Sequence, residues 1–274
     1  MRLPALLKFT DFKPIIADRA FPLEERLLIH HTLNLIVVSI GDVIQKQHLR
    51  RTGRHWVLEG EVQANEPAVL LLTPRSVVCD VRELPALPGG NTESNLARAV
   101  LERPETFLRD LYEPDRRYHL VPFSAPRTAL ICSIKESDVR RGESEVTRSG
   151  WKLVQAWCGL AQAVRFALAD YPQRFPTANV LLVCDQAFCL EVGLNSAGRP
   201  ESANLTSISR EETDPFAGIV GELADHLSPD PAQAAQAVLY RTPFSILTGQ
   251  NLPPPAGVQL ITQNISTSDL LCLG

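Results

Sequence analysis

Apolar residues in this chain fall into short dense runs rather than long stripes. After a Pro-punctuated, poorly periodic stretch over residues 1–25, Leu27, Leu28 and Ile29 are followed by His30-His31-Thr32 and then by Leu33-Asn34-Leu35-Ile36-Val37-Val38-Ser39-Ile40. The second run is β-branched and too short for a helix, so it predicts a buried strand. His55 to Val62 follows the turn signal Thr52-Gly53-Arg54, and the three segments together predict an antiparallel meander. Two more strands are expected at Ala68–Leu72 and Ser76–Val81, broken at Thr73-Pro74-Arg75. Asn91 to about Leu111 has helical composition, with Pro104 able to break it. Thr128–Ile134 predicts a strand; the polar segment after it opens with a capping-box pattern, Ser133-x-x-Glu136, and stops near Gly150.

Leu153, Trp157, Leu160, Val164, Leu168 and Tyr171 recur at helical spacing, predicting a helix over 153–170 that Pro172 and Pro176 end. Asn179–Asp185 is the strongest buried-strand signal, followed by a strand at Phe188–Leu194, a turn at Asn195–Gly198 and a strand at Asn204–Ser209. Asp214-Pro215 and Asp230-Pro231 each place a cap and a first-turn proline before an expected helix, the second running to about Tyr240. The tail returns to strand and loop. Meander plus α/β elements, then meander plus α/β elements again, points to an internal duplication of a ribonuclease-H-like unit.

Composition narrows the function classes. With 274 residues, 45% apolar and 21% charged, the chain can bury a full core. A net charge of −4 excludes a broad nucleic-acid surface, even though 22 of the 27 basic residues are Arg. No apolar run reaches the roughly 18 residues a membrane span needs. Lys8, Asp11 and Lys13 interrupt the N-terminal apolar run before a signal core can form, so a cytoplasmic protein is expected. The 21 prolines imply frequent turns and short helices. Cysteines at 79, 132, 158, 184, 189 and 272 show neither Cys-x-x-Cys nor zinc-ligand spacing and read as small buried hydrophobes.

Few residues offer chemistry. The phosphate-binding, nucleophile-elbow and zinc-protease signatures are absent from the sequence. Glu24-Glu25 and Glu211-Glu212 read as solvated helix entries, and Trp151 and Trp157 as core. Adjacent His30 and His31 would point to opposite faces of a strand, so no metal site is expected there. Asp185, ending a buried strand, stands where a cation-holding carboxylate would stand, and equally where a turn residue would bond its own backbone.

The arrangement resembles the actin-like cytoplasmic proteins of type IV pilus assembly and type II secretion, the PilM and GspL families. Ile29-His30-His31 stands where that family's first strand ends in an Asp-Ile-Gly phosphate turn, with Leu33–Val38 as its next strand. Leu70-Leu71-Leu72-Thr73-Pro74-Arg75-Ser76-Val77 with Glu83-Leu84-Pro85 resembles a second family segment, and Ser149-Gly150-Trp151-Lys152 its turn leading out of the first half. Leu181-Leu182-Val183-Cys184-Asp185-Gln186-Ala187 stands at the second phosphate turn, and Leu247-Thr248-Gly249-Gln250-Asn251-Leu252-Pro253 at the adenosine loop. The likeness spans about residues 26–255 and is one of order and spacing.

This resemblance implies an α/β, actin-like fold. Two ribonuclease-H-like halves are expected at 26–175 and 176–274, with a small subdomain inserted at 66–130 and an irregular lead-in at 1–25. It places a degenerate nucleotide cleft at His31, Thr32, Asp185, Gln186 and Gly249. The first turn has neither Asp nor Gly and the second has Gln186-Ala187 where Gly is expected, so side chains would occupy the phosphate space. The expectation is therefore a non-enzymatic scaffold without bound ATP, Mg²⁺ or other metal. Protein components of a secretion or pilus platform would dock through a peptide groove near the inserted subdomain, and the chain would sit at the inner face of the bacterial inner membrane. Membrane contact would come only through a partner or a tether following the apolar Leu270-Leu271-Cys272-Leu273-Gly274, and a homodimer is compatible. The alternative is an active ATPase or a sugar-kinase-like phosphotransferase of the same fold; an α/β hydrolase would need a nucleophile turn with a matching His.

Overall fold

A computed structural model describes residues 34–40, 44–52, 55–59, 67–73, 76–87, 93–123, 128–185, 188–208, 235–243, 245, 258–266 and 269–271. The first sheet runs β3 (His55–Glu59), β2 (Ile44–Thr52), β1 (Asn34–Ile40), β4 (Pro67–Leu72), β8 (Lys152–Cys158). β1 to β3 form an antiparallel meander, whereas β4 lies parallel to β1 and β8 parallel to β4. The second sheet runs β11 (Pro200–Ser207), β10 (Phe188–Leu194), β9 (Val180–Cys184), β12 (Ala235–Arg241), β13 (Val258–Asn264). Its order and directions repeat the first: a meander of three strands, then two parallel ones. Between β4 and β8 the chain makes a separate antiparallel sheet, ordered β5 (Val78–Glu83), β7 (Thr128–Lys135), β6 (Arg116–Pro122).

Several elements depart from the sequence expectations. The meander's middle strand, β2, reads Ile-Gln-Lys-Gln-His-Leu-Arg-Arg-Thr and carries no hydrophobic period to detect. The expected strand at 27–29 and the expected helix at 214–227 lie outside the described residues. The expected helix over 153–170 starts late: residues 152–158 are strand β8, and α4 occupies Gly159–Arg174, passing through Pro172 in its final turn. Residues 235–241, expected as helix, form β12, because pairing on both sides with β9 and β13 outweighs the helical propensity of Ala-Gln-Ala-Val-Leu-Tyr. Pro104 does break the next helical segment, giving α1 (Glu93–Glu102) and the short α2 (Pro104–Leu108).

Helix α3 (Glu136–Arg148) has Lys135, not a capping Ser, at its N-cap. Ser133 belongs to β7, and its hydroxyl donates to the Val78 carbonyl at 3.4 Å across the sheet. The stop is as expected. Gly150, at φ 77°, donates to Thr147, and Trp151 donates to Val146, so left-handed backbone closes the helix end.

The main core is built from Ala68–Leu72 of β4, Ala129–Cys132 and Ile134 of β7, Trp157, and the buried face of α4, and it continues into Leu181, Val183, Val238 and Tyr240 of the second sheet. The opposite face of that sheet holds a smaller cluster: Val180, Leu182, Cys184, Cys189, Ile208, Ala237 and Leu239. Tyr171 of α4 donates its hydroxyl to the Gly198 carbonyl at 2.5 Å, tying the helix to the β10–β11 turn. Tyr171→Phe is expected to lower the unfolding free energy by about 1 kcal/mol, measured by urea denaturation. An unchanged midpoint would show that this tie adds nothing.

Candidate functional site

In sheets of this kind ligands gather beyond the C-terminal ends of the parallel strands. There the chain buries polar residues: Thr73 after β4, Asp185 after β9, Thr242 and Ser245 after β12, each less than a tenth exposed. The Thr242 N–H donates to the Cys184 carbonyl at 3.1 Å, and the Ser245 N–H to the Thr242 carbonyl, so the ends of β9 and β12 are joined. Asp185 also lies within electrostatic reach of Cys79 on β5, Cys132 on β7 and Cys158 at the end of β8, which brings the end of β9 to the first sheet and the inserted one.

The turn at Asp185 uses its own polar groups. The Asp185 N–H donates to the Phe188 carbonyl at 3.0 Å, and the Phe188 N–H donates back to Asp185 Oδ1 at 3.0 Å. A phosphate cradle needs backbone N–H groups aimed outward and free of internal partners. Here the Asp185 and Phe188 N–H groups, and one Asp185 carboxylate oxygen, bond within the end of the hairpin. These two N–H groups are therefore already engaged, and the turn residues Gln186 and Ala187 lie outside the described residues. Of the residues assigned to a degenerate cleft, Asp185 alone lies among the described residues; His31, Thr32, Gln186 and Gly249 lie outside them.

Around Asp185 lie three cysteines expected as small buried hydrophobes, and His119, which the sequence did not single out. Cys132 sits between Cys79 and Cys158. Burial pushes the Cys79 thiol up to about 11 and the Cys132 thiol well above its ordinary range, and the hydrogen bond with Cys132, together with burial, does the same to Cys158. All three stay protonated at neutral pH. His119, in β6, accepts the Cys158 N–H at Nδ1 (3.3 Å), which leaves its proton on Nε2. Burial pulls its pKa down from 6.5 to about 3, so the imidazole is neutral. No cluster of three metal-ligating side chains occurs among the described residues. The sequence carried one usable sign of this neighbourhood, Cys79 and Cys132 lying mid-strand; their being opposite each other in register belongs to the fold.

A second feature is open. Leu87, Ala99 and Phe107 floor a groove of about 320 Å3 on the inserted subdomain, rimmed by Asn95, Arg98, Glu102 and Arg103 from α1 and the break before α2. Beside it β5 is an edge of its sheet. Arg82 of that strand is held by Asp80 at 2.6 Å and by both oxygens of Asp110 at 2.5 and 3.0 Å.

No protein-family model matches the chain, and no curated protein matches it. Among solved structures it is similar to the cytoplasmic domain of EpsL, an inner membrane component of the type II secretion system of Vibrio cholerae (11% identity, TM-score 0.46, 87% of this chain and 92% of that one). It is similar also to a PilM–PilN type IV pilus biogenesis complex (13%, 0.48, 85% and 89%). A third is a Bacteroides thetaiotaomicron protein with an actin-like ATPase fold and unknown function (7%, 0.44, 78% and 83%). The sheets carry the assignment by themselves: two five-stranded sheets of one order, with a three-stranded sheet inserted in the first unit, make this an actin-like α/β fold.

Proposed function

We propose that this chain is a cytoplasmic scaffold of a type II secretion or type IV pilus assembly platform, working by protein–protein contact at the inner face of the inner membrane and not by ATP turnover. The observation that carries this reading is the contrast between two places. At the turn after β9, where phosphate would be held, the Asp185 N–H, the Phe188 N–H and Asp185 Oδ1 are taken up in bonds between these two residues. The inserted subdomain, by contrast, keeps an open groove with an apolar floor and a charged rim. A partner segment would lay apolar side chains on Leu87, Ala99 and Phe107 and pair its polar groups with Arg98, Glu102 and Arg103. The division into halves at 26–175 and 176–274, and a cleft formed by His31, Thr32, Asp185, Gln186 and Gly249 that holds no nucleotide, belong to the same proposal.

Titration calorimetry of the full chain with ATP and Mg²⁺ tests it. No measurable heat of binding is expected. Micromolar binding, or phosphate release above the buffer rate, would replace the scaffold with an active ATPase or a phosphotransferase.

A further inference from the structure

We infer that Cys184 and Cys189 form a dithiol site that exchanges with low-molecular-weight disulfides to give a cross-strand disulfide at the foot of the β9–β10 hairpin. The two residues are register partners on adjacent antiparallel strands. The next pair outward, Asp185 and Phe188, is joined by the Asp185 N–H to Phe188 carbonyl bond. Hydrogen-bonded and non-hydrogen-bonded pairs alternate along an antiparallel ladder, so Cys184 and Cys189 form a non-hydrogen-bonded pair, with Cα atoms about 4.5 Å apart and side chains at their closest. That spacing falls within the range a disulfide spans. The sulfurs themselves lie 2.7 Å apart. A metal ion bonded to sulfur at about 2.3 Å would force them further apart, so the spacing favours a direct bond over a bridging ion.

Placement keeps the pair exclusive. Cys184 and Cys189 point into the smaller cluster with Val180, Leu182, Ala237 and Leu239, whereas Cys132 and Cys158 belong to the main core on the other side of the sheet. Each thiol therefore has one sulfur within reach on its own face among the described residues. Both are 2% exposed or less, so exchange passes through local opening of the hairpin end. With oxidised glutathione the step balances. One protein thiol loses its proton and its sulfur attacks the small disulfide, releasing one glutathione and leaving a mixed disulfide. The second protein sulfur then displaces the second glutathione. Two protein S–H bonds and one glutathione S–S bond are exchanged for one protein S–S bond and two glutathione thiols; the protein is oxidised and glutathione is reduced.

The test uses the full chain, reduced, freed of reductant and equilibrated with oxidised glutathione under native conditions. It is then alkylated, digested with trypsin and mapped by mass spectrometry. Residues 175–210 form one tryptic peptide that holds these two cysteines and no other, because Arg199 precedes Pro200. The expected result is that this peptide loses two hydrogens and both alkylation sites, and that Cys184→Ser abolishes the change. Alkylation at both cysteines, glutathione adducts without ring closure, or a cross-link to Cys79, Cys132 or Cys158 would each overturn the inference. Should Cys184→Ser fail to fold, the map of the unaltered chain decides alone.

Discussion

Arg117→Ala should cost about 3 kcal/mol of unfolding free energy, measured by urea denaturation at neutral pH. Arg117 lies in β6 and is 4% exposed. Its guanidinium grips Glu136 with two bonds, Nε at 2.7 Å and Nη2 at 2.9 Å, and reaches Glu143 with Nη1 at 2.8 Å. Both carboxylates are on α3, so this one cation fastens the helix to the inserted sheet. Removing it strands Glu136, itself 8% exposed, in a poorly solvated place beside Glu143. Arg140 limits the damage, since its Nε also holds Glu136 at 2.8 Å, and this puts the effect at the low end of the range for broken buried pairs. The double variant Arg117→Met with Glu136→Gln should recover part of the loss, because it removes the stranded charge along with its partner. A single-variant cost under about 1 kcal/mol, the worth of an exposed pair, would show that the cluster behaves as a surface network.

Acid should destabilise the protein steeply through His119. The folded chain holds this imidazole neutral down to about pH 3, whereas the unfolded chain takes up a proton near 6.5. Between those values the unfolded state binds more protons, so stability rises with pH. The contribution is complete above about pH 6.5 and is lost as pH falls towards 3, at up to about 1.4 kcal/mol for each unit. His119→Asn places a non-titrating acceptor near the position of Nδ1, where the Cys158 N–H donates. The variant should be less stable at pH 7 because of the lost ring volume, with the gap to the unaltered chain closing by roughly 2–3 kcal/mol by pH 4.5. Parallel stability–pH curves for the two proteins would remove His119 as the cause.

The scaffold reading and the cysteine pair meet at the end of the β9–β10 hairpin but rest on different physics. Calorimetry asks whether the chain binds a nucleotide phosphate. The peptide map asks whether two facing sulfurs close. Either answer leaves the other standing.

Buried strands announced themselves along the chain. Ala68–Leu72, Thr128–Ile134 and Asn179–Asp185 are dense apolar runs flanked by turn formers, and each became a strand at the heart of a sheet. The helix break at Pro104 and the stop at Gly150 were equally legible, since both follow from backbone chemistry local to one residue. The expected meanders came from other runs as well, at 27–40 with 55–62 and at 179–209, and the actin-like arrangement from a resemblance of order and spacing. Polar strands gave no such sign: β2 and β6 carry Arg, Lys, Gln and His, and β6 is buried because Arg117 and His119 find partners on α3 and β8. At β8 and β12, spacing compatible with a helix was overruled by open ladder positions beside β4, β9 and β13. Asp185 was visible as a strand-ending acid, yet only the hairpin brought the Phe188 N–H to one of its carboxylate oxygens. Cys184 and Cys189 were two of six scattered cysteines until antiparallel register set them opposite each other. Local backbone preference and apolar density are written in short windows of sequence, whereas pairing partners, buried charge and facing sulfurs depend on residues distant in the chain, which meet only when the sheets assemble.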